Sequence, residues 1–139
     1  EAQVVGAGPG VSSLAGMAKD ERVSLLGFVP QDVLAEHMRE IEVLMLPSRS
    51  EGWPTVVLEA QASGTRCVGT DVGGVEEAIG FGGEVVSSNP FQPREFAEAV
   101  LRQLSRTDLE PIRRRAEEYS WDALAVLEAQ QIEAFLRGA

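Results

Sequence analysis

The sequence contains little of the side-chain chemistry that metal and redox sites use. Its 139 residues include one cysteine, Cys67, and one histidine, His37. A single cysteine cannot form an intrachain disulfide, and one cysteine with one histidine cannot build the usual zinc site. Any Ser-His-Asp triad would have to use His37. No apolar run reaches the roughly 18 residues that a membrane-spanning helix needs, so we expect a cytoplasmic protein.

Basic residues are also scarce. Lysine and arginine together number 12 against 22 acidic residues, which gives a net charge of −10. A chain this acidic is a poor non-specific binder of nucleic acid, so we expect no nucleic-acid partner. A small anionic ligand is not excluded, because backbone dipoles can outweigh the net charge at short range.

The chain alternates short apolar runs with helical patterns. With 44% hydrophobic and 24% charged residues, it is expected to form one globular domain over residues 1–139. Such alternation predicts an α/β fold with a doubly wound, mostly parallel sheet of about five strands. The predicted strands are 4–8, 23–26, 43–46, 66–70 and 83–87; the predicted helices are 12–19, 31–41, 55–63, 75–79, 93–104, 109–118 and 120–136.

Ligands of such sheets bind where the strands end, which draws attention to residues 47–54. This loop follows a buried strand and leads into a helix that begins near Thr55. The amino end of a helix presents unpaired N–H groups and a partial positive charge, which suits a phosphate. Gly52 leaves room for a close approach, and Pro54 has no N–H to leave unpaired at a helix start.

Two carboxylates flank this helix start. Glu59 lies four residues after Thr55, roughly 6 Å along the same helix face. A carboxylate there can accept hydrogen bonds from a ribose diol, while Glu51, ahead of the helix, can hold hydroxyls of a group on the far phosphate. The spacing suits a nucleoside diphosphate that carries a sugar. On chemistry alone, the commoner role of either glutamate is that of a surface residue, and Trp53 is more often a packing residue than a stacking platform.

Several segments in order resemble the donor-binding, C-terminal domain of GT-B retaining glycosyltransferases of family 4, also called group 1. Glu51 and Glu59 match the Glu-x7-Glu motif of that family, with seven residues between them. Tyr119-Ser-Trp121 is similar to the "FSW" that begins the last helix of the family domain. The other matching segments are residues 4–9 ("VGxGP"), 26–29 ("LGxV"), 44–48 and 64–74 ("GxPVxxxxxGG").

The resemblance implies a site and a reaction. Glu51 is the implied catalytic residue, contacting the donor sugar, and Glu59 binds the ribose. It also implies transfer of a hexosyl group with retention, without a metal ion and without a cofactor other than the nucleotide-sugar substrate. The remaining donor-binding residues that it implies are Gly52, Trp53, Pro54 and Thr55 at the phosphates and sugar, Gly27, Phe28 and Val29 beside the base, and Gly8.

The sequence departs from the family pattern in three ways. The family's first strand and helix and its basic phosphate-binding pair are missing, and so is the acceptor-binding N-terminal domain. We therefore expect this chain, which starts at Glu1, to be part of a larger protein whose missing domain could place it at the inner membrane. Without the missing strand, residues 4–8 pair directly with 43–46, or another molecule fills the gap, or the chain is a fragment of a larger whole. Arg66 replaces the usual proline, a change we expect to be harmless.

Other functions remain open from the residues. A dinucleotide fingerprint would need glycine at position 11, where the chain has Val11. The chain could instead be a non-catalytic nucleotide-binding or purely structural fragment, or half of a nucleotide-sugar epimerase.

Four further features have expected roles in the fold. Cys67 is expected in the core, and His37 partly exposed on a helix. The run of three arginines at 113–115 is expected to be solvated. The last helix either packs into the core or exposes an apolar strip that drives self-association.

Overall fold

The computed structural model describes residues 2–5 and 20–138, and it has the expected α/β fold with parallel strands. The strands are β1 (Ala2–Val5), β2 (Val23–Gly27), β3 (Val43–Leu46), β4 (Arg66–Thr70) and β5 (Gly83–Val86). The helices are α1 (Gln31–Glu40), α2 (Thr55–Ala62), α3 (Val75–Ile79), α4 (Pro93–Leu104), α5 (Glu110–Glu117) and α6 (Trp121–Gly138). These bounds lie within two residues of the predicted ones wherever the structure describes both ends. The predicted helix 12–19 and Gly8 lie outside the described residues.

The chain divides into two compact units, Glu1–His37 and Met38–Ala139. In the first unit, β1 and β2 form a two-stranded parallel sheet, with Ala2 opposite Val23. In the second, β3, β4 and β5 form a parallel sheet with β4 in the centre. Residues 6–8 of the predicted strand 4–8 lie outside the described residues, so its expected direct pairing with 43–46 stays a prediction.

Helices cover both faces of the central strand β4, which is why the strand is buried throughout. Side chains alternate between the faces of a strand. Val68 packs with Phe96 and Ala99 of α4. On the other face, a Cβ at Gly69 would lie 2.6 Å from Val75 of α3, so only glycine allows that helix to approach so closely. The second unit is therefore a doubly wound layer structure.

Cys67 lies in β4 and has no exposed surface, as predicted. Burial raises the pKa of its thiol from 9.0 to about 12. Because only the thiolate is nucleophilic, we expect iodoacetamide at about pH 8 to label Cys67 slowly in the folded chain and rapidly in urea. A mass-spectrometric time course measures this, and rapid labelling without urea would contradict the burial.

Above pH 9.0 the unfolded thiol ionises while the folded one does not, so stability should fall with rising pH.

Two arginines, Arg66 and Arg115, are buried. Arg66, expected to be a harmless replacement, is only 2% exposed, and its guanidinium donates to the carbonyl of Asp108. Burial lowers the pKa of Arg66, and the nearby charge of Arg106 lowers it further. Arg115, expected to be solvated with its neighbours, is only 8% exposed. That prediction is wrong at Arg115, because the side chain turns inward to the helices packed beside α5.

The last helix, α6, contains no buried residue. Its large apolar side chains are exposed, which confirms the expectation of an apolar strip and overturns the alternative of core packing. Self-association through this strip stays a prediction. No helix within the described ranges is long and apolar enough to cross a membrane. The exposed apolar residues include Trp121, Leu124, Leu127, Ile132, Phe135 and Leu136.

Candidate functional site

The loop between β3 and α2, residues 47–54, lies where the parallel strands β3 and β4 end. The turn that follows β4 contacts it directly. The Gly74 N–H donates to the Gly52 carbonyl across 2.7 Å. A Cβ at Gly73 would lie 1.9 Å from the Glu51 carbonyl oxygen. The 47–54 loop and the turn after β4 therefore meet at one edge of the sheet.

Glu51 is half-buried. The Ser48 hydroxyl donates to Glu51 Oε1 across 2.6 Å. The hydroxyl of Thr70, the last residue of β4, in turn donates to the Ser48 carbonyl. A carboxylate held in this way is partly preorganised, because it loses less side-chain freedom when it accepts a hydrogen bond from a ligand.

The amino end of α2 carries no competing group among the residues that the structure describes. Pro54 occupies the N-cap position and cannot supply a side-chain cap, and the first turn contains no acidic residue. Val57 is the first residue whose N–H bonds within the turn, to the Pro54 carbonyl at 3.1 Å. A Cβ at Gly52 would meet nothing within 4 Å. The helix start therefore offers backbone N–H groups and space to an anion.

Glu59 lies on α2, one turn beyond Thr55, and its side chain is exposed to solvent. Its backbone carbonyl accepts hydrogen bonds from Ser63 at the end of the helix. The exposed carboxylate is accessible to a ligand at the helix start. Exposure equally fits a surface glutamate, so its assignment to the ribose stays a prediction.

Trp53 is 37% exposed, and part of its indole packs against the protein. Its ring lies 5.8 Å from that of Tyr119, at an interplanar angle of 34°. A Cβ at Gly74 would lie 3.0 Å from the indole. One part of the Trp53 indole therefore packs against Tyr119 and Gly74, and the rest of the side chain is exposed to solvent.

The other predicted site residues lie in the first unit. Gly27 ends β2 with φ +69°, a conformation that favours glycine. Phe28 is 79% exposed, and Val29 is half-buried. Gly8 lies outside the described residues. The structure thus brings together Glu51, Gly52, Trp53, Pro54 and Thr55, with Glu59 one turn further along α2.

Sequence reasoning missed several residues that support this loop. Gly73 and Gly74 end the 64–74 segment that resembles the family pattern, but their contact with the loop was not predicted. A Gly-Gly pair after a buried strand is the signal that could have indicated a close backbone approach. Nothing in the sequence indicated the hydrogen bonds from the Ser48 hydroxyl to Glu51 and from the Thr70 hydroxyl to the Ser48 carbonyl. Within residues 2–5 and 20–138, no group of three or more acidic, histidine or cysteine side chains could hold a metal ion.

The family model for "Glycosyl transferases group 1" matches residues 1–106, which include the whole loop together with β3 and α2 on either side of it. The chain belongs to this family. The family expected from the motifs is thereby confirmed. A D-inositol 3-phosphate glycosyltransferase of Geodermatophilus obscurus is 38% identical over 103 residues, 70% of this chain. Its counterpart in Streptomyces bingchenggensis is 31% identical over 93% of this chain.

Two solved structures show the same fold. The match to the sucrose-phosphate synthase of Thermosynechococcus elongatus covers 99% of this chain and 39% of the synthase chain, with a TM-score of 0.78 and 23% sequence identity. The lipopolysaccharide outer core galactosyltransferase WaaB matches 87% of this chain and 37% of its own, with TM-score 0.73 and 21% identity. This group 1 chain spans 23% of the length of the Geodermatophilus obscurus protein and 32% of the length of the Streptomyces bingchenggensis protein.

Proposed function

We propose that this chain binds the nucleoside-diphosphate sugar of a retaining glycosyltransferase that transfers a hexosyl group to an acceptor hydroxyl. One observation carries the proposal. The α2 amino end has no side-chain cap among the described residues, and it opens at Gly52 beside a carboxylate held by Ser48. The family match supports the class of reaction. The acceptor would be bound by a further domain, in keeping with the fraction of the relatives that this chain spans.

In this proposal the diphosphate lies at the α2 amino end, near the backbone of Gly52–Thr55. Negative charge accumulates on the diphosphate as its bond to the anomeric carbon breaks. A preorganised helix amino end stabilises that charge without reorganising during the reaction. Glu51 accepts hydrogen bonds from sugar hydroxyls and so fixes the anomeric carbon, which contributes by orientation. We assign no covalent nucleophile.

Glu51 and Glu59 are proposed to bind different parts of the donor, so their variants should separate in a calorimetric titration. Glu59→Gln should weaken binding of both UDP and UDP-glucose by about tenfold, because a hydrogen bond to a charged group is lost. Glu51→Gln should weaken UDP-glucose by a similar factor and leave UDP unchanged. GDP and ADP with their glucose conjugates test the other bases in the same way.

Glu128→Gln is the matched control, because it removes an exposed glutamate from helix α6. It should bind both ligands as the parent chain does. No binding of any of these nucleotides by the parent chain at millimolar concentration would reject the proposal and favour a purely structural fragment. Equal effects of the Glu51 variant on UDP and UDP-glucose would reject the division of roles.

A further inference from the structure

The loop that carries Glu51 is supported from a part of the chain far away in sequence. Tyr119 follows α5, beyond the segment that matches the family model. Its half-buried ring contacts the indole of Trp53 with the tilted geometry favoured by aromatic pairs. Trp53 lies two residues after Glu51, so anything that fixes the indole restricts the backbone that positions the carboxylate.

Arg115 fixes the ring of Tyr119 in turn. The Arg115 guanidinium lies 5.0 Å from the centre of the Tyr119 ring, within the range of a cation–π contact. That guanidinium is itself held by three acceptors. It donates to Gln61 Oε1 across 3.0 Å, to the Ala78 carbonyl across 2.8 Å and to the Glu77 carbonyl across 2.6 Å. The Tyr119 ring therefore rests on a cation that cannot easily move.

We propose that Tyr119 is a positioning residue for the donor site: its ring holds Trp53 and thereby sets the conformation of residues 51–54. The proposal rests on the proposed function of that site. Tyr119 does not contact the ligand in this account. It acts by reducing the conformations that the loop samples before the ligand binds, which lowers the entropic cost of binding.

The flat aromatic ring is the property that matters. Tyr119→Phe keeps the ring and both of its stacking partners, so it should preserve the loop. Tyr119→Leu keeps apolar bulk but loses the aromatic contact with Trp53 and the cation–π contact with Arg115. An aromatic pair contributes enough beyond its buried area to change an equilibrium by about two- to tenfold.

The fluorescence of Trp53 can be measured separately when Trp53 is the only tryptophan in the chain, and its quenching then shows how well the indole is packed. The chain has two, and Trp121 is 88% exposed on α6, so Trp121→Phe provides a suitable background. In that background, we expect Tyr119→Leu to raise the acrylamide quenching constant of Trp53 and to weaken UDP-glucose binding by about two- to tenfold. Tyr119→Phe should restore both quantities to those of the parent.

Phe91→Leu is the matched control. Phe91 forms an aromatic pair with Phe96 at the same 5.8 Å separation, in a contact that does not involve the loop. It should lower stability without changing Trp53 quenching or nucleotide binding. Tyr119→Met, which fills similar space, provides the same test if the leucine variant unfolds in a thermal melt followed by circular dichroism.

The outcomes separate the two proposals. Unchanged Trp53 quenching in folded Tyr119→Leu, or an equal effect of Phe91→Leu, would overturn the positioning role. So would undiminished UDP-glucose binding by folded Tyr119→Leu when the parent chain binds. If the parent chain binds no nucleotide sugar, the proposed function fails and the positioning role fails with it, whatever the quenching shows.

Discussion

Gly73→Ala should lower the free energy of unfolding by about 3 kcal/mol, because two independent costs coincide at this position. The φ of Gly73 is +53°, a left-handed conformation that disfavours a Cβ. The added Cβ would also lie 1.9 Å from the Glu51 carbonyl oxygen, so one of the two backbone segments must move. Urea denaturation followed by circular dichroism measures the loss, and the displaced loop should also weaken UDP-glucose binding.

Gly52→Ala is the matched control for stability, since Gly52 belongs to the loop that Gly73 contacts. No atom lies within 4 Å of the position that its Cβ would take, and its φ is outside the left-handed range. The urea midpoint of this variant should equal that of the parent chain. If Gly73→Ala were as stable as Gly52→Ala, the close contact between the two loops would be wrong.

The strand and helix pattern was predictable because it depends on local sequence. β4 was predicted at residues 66–70 with Cys67 in the core, and the structure buries the strand throughout. β3, predicted to be a buried strand, instead leaves Met45 43% exposed. The start of α2 at Thr55 was predictable from the glycine and proline that precede it. What the local pattern could not supply was which loops meet. The contact of Gly73 and Gly74 with the 47–54 loop depends on the pairing of β3 with β4, which is a tertiary property.

The candidate site shows the same division. Glu51 and Glu59 were identified by their spacing, but the hydrogen bond from Ser48 that holds Glu51 was not. A serine in a polar loop has many available partners, and only the folded backbone selects one. The residue type of Trp53 favoured packing, while its donor-binding role, implied by the resemblance, stays a prediction. Its indole packs against Tyr119, a residue 66 positions later whose contact no local pattern could indicate.

The arginine run at 113–115 is the plainest case of a pattern that misleads. Three consecutive arginines on a helix point in three directions, about 100° apart, so the three side chains do not face the same surroundings. Arg113 and Arg114 are exposed, whereas Arg115 turns toward Gln61 and the end of α3. The three arginines in the sequence predict a local positive charge, but they do not indicate which of the three side chains is buried.

Arg115→Met should therefore be among the most destabilising substitutions in the chain, with a loss of about 3 kcal/mol in the free energy of unfolding. Methionine retains much of the apolar stem but none of the donors. The carbonyls of Glu77 and Ala78 and the amide oxygen of Gln61 would lose their hydrogen bonds from Arg115 inside the protein. The carbonyls at the end of α3 would also lose the positive charge that a helix carboxyl end favours.

The neighbouring residue provides the decisive comparison. Arg114→Met makes the same chemical change on the same helix, but at an exposed position, and its urea midpoint should match that of the parent. The two variants have the same net charge, so any difference between them reports the buried hydrogen bonds rather than the overall charge. Equal midpoints would mean that the inward position of Arg115 contributes nothing to stability, and that the cation supporting Tyr119 is not held as the structure shows.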